Sequence, residues 1–284
     1  MKKPNIINFH ITDSCNYTCH HCFACFNRKN MPLSDAKRVV DSIHTYFTEN
    51  EIDNGRINIA GGEPLLYPRL DEVIDYIVSL GIKVSLITNG SLLTEKRIEG
   101  WRGKVAMIGI SVDAITEDAN INIGRCDRYL KTNTMEHLAK MADAIHRAGI
   151  KLKVNTVVSR LNLEEYMLSV YKRMKPDRLK LIYVHVVRNV NDWPEEMDII
   201  PTVSEYDRFV EKNSYEEGCE LVLERPFEME NSYFMINPHG EVYINCMGLE
   251  KKYGNSIYES LTEIFLRLPF NIKKFNIRYE SEEV

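Results

Sequence analysis

The chain has 284 residues, 44% of them hydrophobic and 27% charged, with a formal net charge of −5. These proportions exclude a disordered chain, and no apolar run approaches the ~18 residues a membrane-spanning helix needs. The acidic balance argues against a general nucleic-acid binder, which needs a basic face to release phosphate counterions, but leaves room for a small anion held by a local group of Lys and Arg.

In chain order, residues 6–11 form a first strand-like run, and the loop after it carries Cys15, Cys19 and Cys22. Residues 34–47 set Ala36, Val39, Val40, Ile43 and Phe47 on one helical stripe, with Ser34 as N-cap. Residues 56–60 predict a short strand ending at Gly61-Gly62. Residues 70–80 predict a helix stopped by Gly81, and 83–88 a β-branched buried strand turned by Asn89-Gly90-Ser91. A short helix from Thr94 follows, then a strand over 105–112 and a long loop with Gly124, Arg125 and Cys126. The spacing next gives a helix over 134–148, a strand over 151–158, a helix over 163–174 and a sixth strand over 179–187. Six strand–helix cycles imply parallel strands joined by right-handed crossovers, compatible with a flat doubly wound sheet or a barrel, and one α/β barrel commonly uses this length. From about residue 189 the pattern loosens. Residues 233–236 and 241–245 flank Asn237-Pro238-His239-Gly240 as a hairpin, a helix lies near 258–268, and the acidic tail 280–284 reads as solvated.

The three cysteines hold the most specific chemistry. Their C-x3-C-x2-C spacing folds three thiolates onto one face of a small loop, which suits an iron–sulfur cluster with one open iron. Zinc is the alternative, with Cys25, His20 or His21 closing a tetrahedral site. Disulfides fit less well: the cysteines number 7, an odd count, and the start (Met1, Lys2, Lys3) is polar, so a reducing cytoplasm is the expected compartment. Cys126 and Cys219 read as buried or incidental thiols.

Cys15-x3-Cys19-x2-Cys22 after an N-terminal strand, followed by Gly61-Gly62-Glu63-Pro64, resembles the radical S-adenosylmethionine (SAM) superfamily. The resemblance implies a partial (β/α)6 barrel over residues 1–188, with a C-terminal extension over 189–284 that completes the active site within the same structural domain. It extends to viperin-like enzymes, prokaryotic viperins included, through Phe9-His10-Ile11-Thr12, Ile57-Asn58-Ile59-Ala60, Thr88-Asn89-Gly90-Ser91-Leu92 and Ile110-Ser111-Val112-Asp113. Ile123-Gly124-Arg125, Lys153-Val154-Asn155, Arg178-Leu179-Lys180, Asn231-Ser232-Tyr233 and Asn245-Cys246 continue it. Such enzymes convert a nucleoside triphosphate to its 3′-deoxy-3′,4′-didehydro analogue, a chain terminator used against viruses and phage.

By that resemblance Cys15, Cys19 and Cys22 hold a [4Fe–4S] cluster, and Gly61, Gly62, Glu63, Asn89, Ser111 and Arg125 hold SAM, the glycines by letting backbone approach its amino group. On the fifth and sixth strands, Lys153 with Asn155 and Arg178 with Lys180 stand two apart, so each pair points to one face. Inward cations need a compensating anion, and a triphosphate supplies one. Without the family, Arg178 and Lys180 read equally as a solvated strand edge. Arg56 and Ala60 take family positions at the substrate, and Tyr233 matches a tyrosine that can donate to the product radical or simply pack the hairpin. The electron comes from a flavodoxin- or ferredoxin-type donor, and neither nucleic acid nor membrane is an expected partner.

Three departures stand out. Ala60 replaces the serine of animal viperins, His21 stands where an aromatic is common, and no amphipathic N-terminal helix precedes the first strand. The base contacts around residues 183–191 are not readable, and a pyrimidine, CTP or UTP, is favoured. Another radical SAM reaction, of the peptide-maturation or GTP-cyclisation type, is the runner-up; such families often carry further cysteine clusters, and here only Cys219 and Cys246 remain. A zinc-dependent binding module would leave the GGEP motif and the inward cations unexplained.

Overall fold

The computed structural model describes residues 3–22, 30–185, 187 and 198–279. Cys25, the acidic tail and most of the region where base contacts were sought lie outside them. The first seven strands run parallel: β1 (Ile6–His10), β2 (Arg56–Ala60), β3 (Lys83–Thr88), β4 (Val105–Ser111), β5 (Lys151–Val158), β6 (Arg178–Tyr183) and β7 (Glu220–Glu224). Helices α1 (Leu33–Glu49), α2 (Leu70–Ser79), α3 (Glu95–Gly100), α4 (Glu117–Ile123), α5 (Met135–Arg147), α6 (Leu168–Met174) and α7 (Val203–Asn213) fall between them. The chain then forms α8 (Pro226–Met229), the strands β8 (Met235–Ile236), β9 (Glu241–Cys246) and β10 (Leu249–Asn255), and helices α9 (Leu261–Arg267) and α10 (Ile272–Tyr279). The sheet order is β10-β9-β8-β1-β2-β3-β4-β5-β6-β7.

Period-two alternation explains the layering. Ile7, Phe9, Ile57, Ile59, Leu86, Ile108, Ile110, Leu152, Val154, Leu179 and Leu181 are all fully buried in the main core with apolar residues of the helices. The alternate positions are polar or small: Asn8 and His10, Asn58 and Ala60, Ser111, Lys153 and Asn155, and Lys180. These line one cavity. Because its wall draws on β1 through β9, the sheet wraps around it as a partial barrel. Across the β1–β2–β3 register, Asn58 Nδ2 donates to Asn8 Oδ1 at 2.7 Å and Ser85 Oγ to Asn58 Oδ1 at 2.9 Å, so the buried amides satisfy one another.

The first six strands agree with the predicted periods, except that the sixth ends at Tyr183. Six elements escaped the pattern: α4 within the long loop, α7, β7, α8, β10 and α10. The β7 sequence, Glu-Leu-Val-Leu-Glu, is short and mostly half-buried, so it lacks the apolar run of an interior strand. Residues after 188 supply both edges of the sheet, β7 beside β6 and β8 parallel to β1. No helix among the described residues is long and apolar enough to cross a membrane.

Candidate active site

The cavity holds about 300 Å³ and opens at the carboxyl ends of the parallel strands, where ligands of such folds collect. Cys15, Cys19 and Cys22 face it from the loop after β1. Backbone contacts fix this loop: Thr18 N donates to Gly124 O at 3.3 Å and His20 N to Ile123 O at 2.9 Å. Gly124, at φ +78°, follows α4, and a Cβ there would meet Thr18 O at 2.5 Å. The glycines after β2 serve the same loop. Gly62 N donates to Thr12 O and Glu63 N to Ser14 O, both at 2.7 Å, and a Cβ on Gly61 or Gly62 would lie 2.4 or 2.3 Å from those carbonyls. Close packing against the segment leading to Cys15 therefore already demands glycine at both positions, before any ligand is considered.

Glu63, expected at the cofactor, does not line the cavity. It is fully buried and accepts hydrogen bonds from Leu65 N (3.0 Å), Thr88 Oγ1 (2.7 Å) and Asn89 N (2.7 Å). Burial raises its pKa, opposed by those same bonds. Asn89 lines the cavity, but its amide ties the turn after β3 to the cysteine loop, donating to Asn16 Oδ1 at 2.9 Å. Ser111 and Arg125 also face the cavity. Arg125 donates to Asp113 Oδ2 at 2.9 Å and to Ser111 O at 2.6 Å, so its guanidinium is held by a fully buried carboxylate. The same Oδ2 lies 3.5 Å from His21 Nε2, linking Arg125 to the cysteine loop.

Opposite the thiols stands a charged wall. Lys153 and Asn155 line it from β5 and Lys180 from β6, as alternation requires. Lys153 has no hydrogen bond or ion pair to another described residue. Burial first, then the charges of Lys180 and Arg178, hold its pKa well below the usual lysine range. Lys180 donates to Glu224 Oε1 at 2.7 Å and to the Tyr233 hydroxyl oxygen at 3.2 Å; burial pulls its pKa down to about 8 against the pull of Glu224. Burial opposes ionisation of Glu224, but Lys180 and Arg278 outweigh it and hold the carboxyl at about 2. Tyr233 O–H points at Glu224, with Oε2 at 2.6 Å, and its pKa is driven well above the usual value, first by burial.

Two substrate candidates do not line the cavity. Arg178 is fully buried one alternate position below Lys180 and donates to Arg278 O at 2.7 Å. Arg56 opens β2, four residues and so about 13 Å before Ala60, at the amino end of the strand. The sequence reading missed Glu224, Arg278 and Tyr279, which close the wall, and His10 and His185, which also line the cavity. A hollow of about 590 Å³ beside α1 is larger, yet none of the expected residues lines it.

The sequence profile described as "Radical SAM superfamily" matches residues 9–172, more than half of the chain. The chain belongs to the radical SAM superfamily. A protein of Thermoplasmatales archaeon (strain ISO4-H5), named S-adenosylmethionine-dependent nucleotide dehydratase, is 35% identical over 257 residues, covering 89% of this chain and 87% of the relative. A protein of the same name from Pseudoalteromonas ulvae is 32% identical over 298 residues, covering 97% and 93%. Among solved structures, Streptococcus suis SuiB bound to S-adenosylmethionine shares the fold at TM-score 0.67 and 18% identity, over 97% of this chain and 68% of that one. Native anSMEcpe with bound AdoMet and a peptide does so at TM-score 0.70 and 17% identity, over 96% and 82%.

As a radical SAM enzyme the protein works with SAM and a [4Fe–4S] cluster, and its own residues fit both. Cys15, Cys19 and Cys22 are free thiols facing one cavity; burial raises the pKa of Cys15 and Cys19, so their thiolates form at a cost that the positive charge of a metal centre would offset. Among the described residues, no three His, Cys, Asp or Glu side chains converge as a single-ion site would require. A cluster instead takes each thiolate on a separate iron. Arg125, Ser111 and the backbone at Gly61 and Gly62 border the space beside the thiols, where they would meet the polar end of SAM.

Proposed function

We propose that this radical SAM enzyme is a nucleotide dehydratase that converts a nucleoside triphosphate, a pyrimidine by preference, to its 3′-deoxy-3′,4′-didehydro analogue. The observation that carries this reading is Lys153: a half-buried amine with no ion pair to another described residue, lining the same cavity as the three thiols. Its protonated form is disfavoured by its surroundings, and an arriving anion would offset that cost. Both nucleotide dehydratases above support the same reading by name.

Cluster and SAM, held by the three cysteines and the residues beside them, would supply the oxidising hydrogen-atom chemistry needed at the ribose 4′ carbon. The residues of this chain do the rest. Lys153 and Lys180 bind the phosphates, with Arg178 beneath them adding positive charge, while Arg56 lies too far away at the other end of β2 to take part. Asn155, whose Oδ1 is buried and without a hydrogen-bond partner among the described residues, is left to meet the sugar beside Ala60. Anchoring the phosphates away from the thiols orients the ribose, so that one hydrogen faces the radical and water is kept out. The 3′ hydroxyl leaves as water, taking up one proton, and one further electron completes the product. Tyr233 is the donor on this wall. Electrons come from a flavodoxin- or ferredoxin-type carrier in the cytoplasm. A product lacking the 3′ hydroxyl terminates a growing strand, which suits defence against phage.

The test is anaerobic turnover of the reconstituted, reduced protein with SAM and each of the four common ribonucleoside triphosphates separately. Expected are 5′-deoxyadenosine rising with one pyrimidine nucleotide and a product lighter by one water. An intact cluster with slow SAM cleavage that no nucleotide stimulates would overturn the substrate and keep the superfamily.

A further inference from the structure

Glu224 is the residue that the nucleotide reading leaves over. A cavity for a polyanion gains nothing from a carboxylate in its wall, yet Glu224 lines it and is 1% exposed. It is also where distant parts of the chain meet. Its Oε1 lies 2.7 Å from Lys180 Nζ of β6 and 2.5 Å from Arg278 Nε of α10. The Tyr233 hydroxyl, from the segment ahead of β8, lies 2.7 and 2.6 Å from its two oxygens. Lys180 and Tyr233 also touch each other, and the Arg278 guanidinium stacks 4.0 Å from the Tyr233 ring centre. Removing one partner from a buried ion cluster leaves an uncompensated charge, so the carboxylate keeps both cations in place while no phosphate is present.

We propose that Glu224 is the positioning residue of the nucleotide site: in the empty enzyme it stands in for phosphate by holding Lys180 and Arg278, and it aims the Tyr233 hydroxyl. This rests on the nucleotide reading. Its consequence has opposite signs for two measurements. The incoming nucleotide competes with Glu224 for Lys180, so the carboxylate weakens binding. It also fixes Tyr233 and Lys180 relative to the sugar, so it raises the yield of product per radical generated.

The experiment uses cluster-loaded protein with SAM and the nucleoside triphosphate that the wild type turns over. Glu224→Gln keeps the shape and removes the charge. It is expected to bind the nucleotide about tenfold more tightly, the size of one released charge–charge contact, while product per 5′-deoxyadenosine falls severalfold. Glu224→Asp keeps the charge but shortens the reach, and is expected to show wild-type affinity with a reduced product ratio. Weaker nucleotide binding by folded Glu224→Gln, or an unchanged product ratio in either variant, overturns the proposal. Should Glu224→Gln fail to fold, as judged by SAM binding, the Glu224→Asp ratio decides alone. Failure of the nucleotide reading shows separately, as a wild type whose SAM cleavage no nucleotide stimulates.

Discussion

The two walls of the cavity are built on different principles. On the cysteine side the polar groups are satisfied within the protein: Glu63 by two backbone amides and Thr88, Arg125 by Asp113 and the Ser111 carbonyl, Asn89 by Asn16 and Ser91. Most of the partners are backbone atoms or lie on short loops, so that wall is rigid before anything binds. On the opposite wall charge is concentrated and shared, with Lys180, Tyr233 and Arg278 meeting on one carboxylate and Lys153 beside them. A site built the first way can receive a constant cofactor. One built the second way exchanges partners when a charged substrate arrives.

If that contrast holds, the largest effect comes from the first wall. Cys19→Ala should remove iron and labile sulfide from the purified chain and reduce 5′-deoxyadenosine to background with or without nucleotide. Retention of wild-type iron would show that the loop is not the cluster site. On the second wall, Lys180→Ala should weaken nucleotide binding by about 10- to 100-fold, the range for a hydrogen bond to a charged group, and leave SAM affinity alone. Loss of SAM binding there would erase the division between the walls. The same lysine sets a pH dependence. With its pKa near 8, Lys180 is charged below that value and loses its proton above it, so nucleotide affinity should be level below about pH 8 and fall as pH rises further. Lys180→Arg, which stays charged, should abolish the fall. Arg125→Lys sharpens the comparison from the other direction: the fork to Asp113 and Ser111 is lost, so SAM affinity should drop about tenfold while nucleotide affinity stays. The smallest effect is a control remote from both walls. Thr202 caps α7 through a reciprocal pair with Glu205, and Thr202→Ala should cost about 1 kcal/mol in thermal unfolding with both affinities unchanged.

How much of this was legible in the sequence follows the same division. The cysteine loop and the glycine turn are contiguous because each is one local feature, and the strands feeding them carry period-two apolar positions that predicted β1 through β5 within a residue or two. The inward set of Lys153, Asn155 and Lys180 followed from that alternation as well. Arg178 has the same parity, yet its position deeper in the barrel follows from register between strands, which a single strand cannot reveal. Glu224 and Arg278 carry no signal of burial in the sequence, because β7 is a short strand bounded by glutamates and α10 mixes Lys, Asn and Arg among its apolar residues. Their burial depends on a sheet edge and a helix that pack only once the rest is in place. Glu63 shows the converse limit: its place in a recognisable motif points to the cofactor, while spacing alone does not show that its carboxylate accepts hydrogen bonds from the protein's own amides.

The reach of α10 has a bearing on how the enzyme comes into being. Cys22 leaves the ribosome about 250 residues before Arg278. At ordinary elongation rates of about 5–20 residues per second, that is roughly ten to fifty seconds. During this interval the growing chain can fold its first strands and offer its thiols for cluster assembly, yet it lacks the arginine that completes the wall opposite. Metal insertion and substrate competence are therefore separable in time, and a chain shortened before Arg278 would keep its cysteine loop while losing one of the two cations on Glu224.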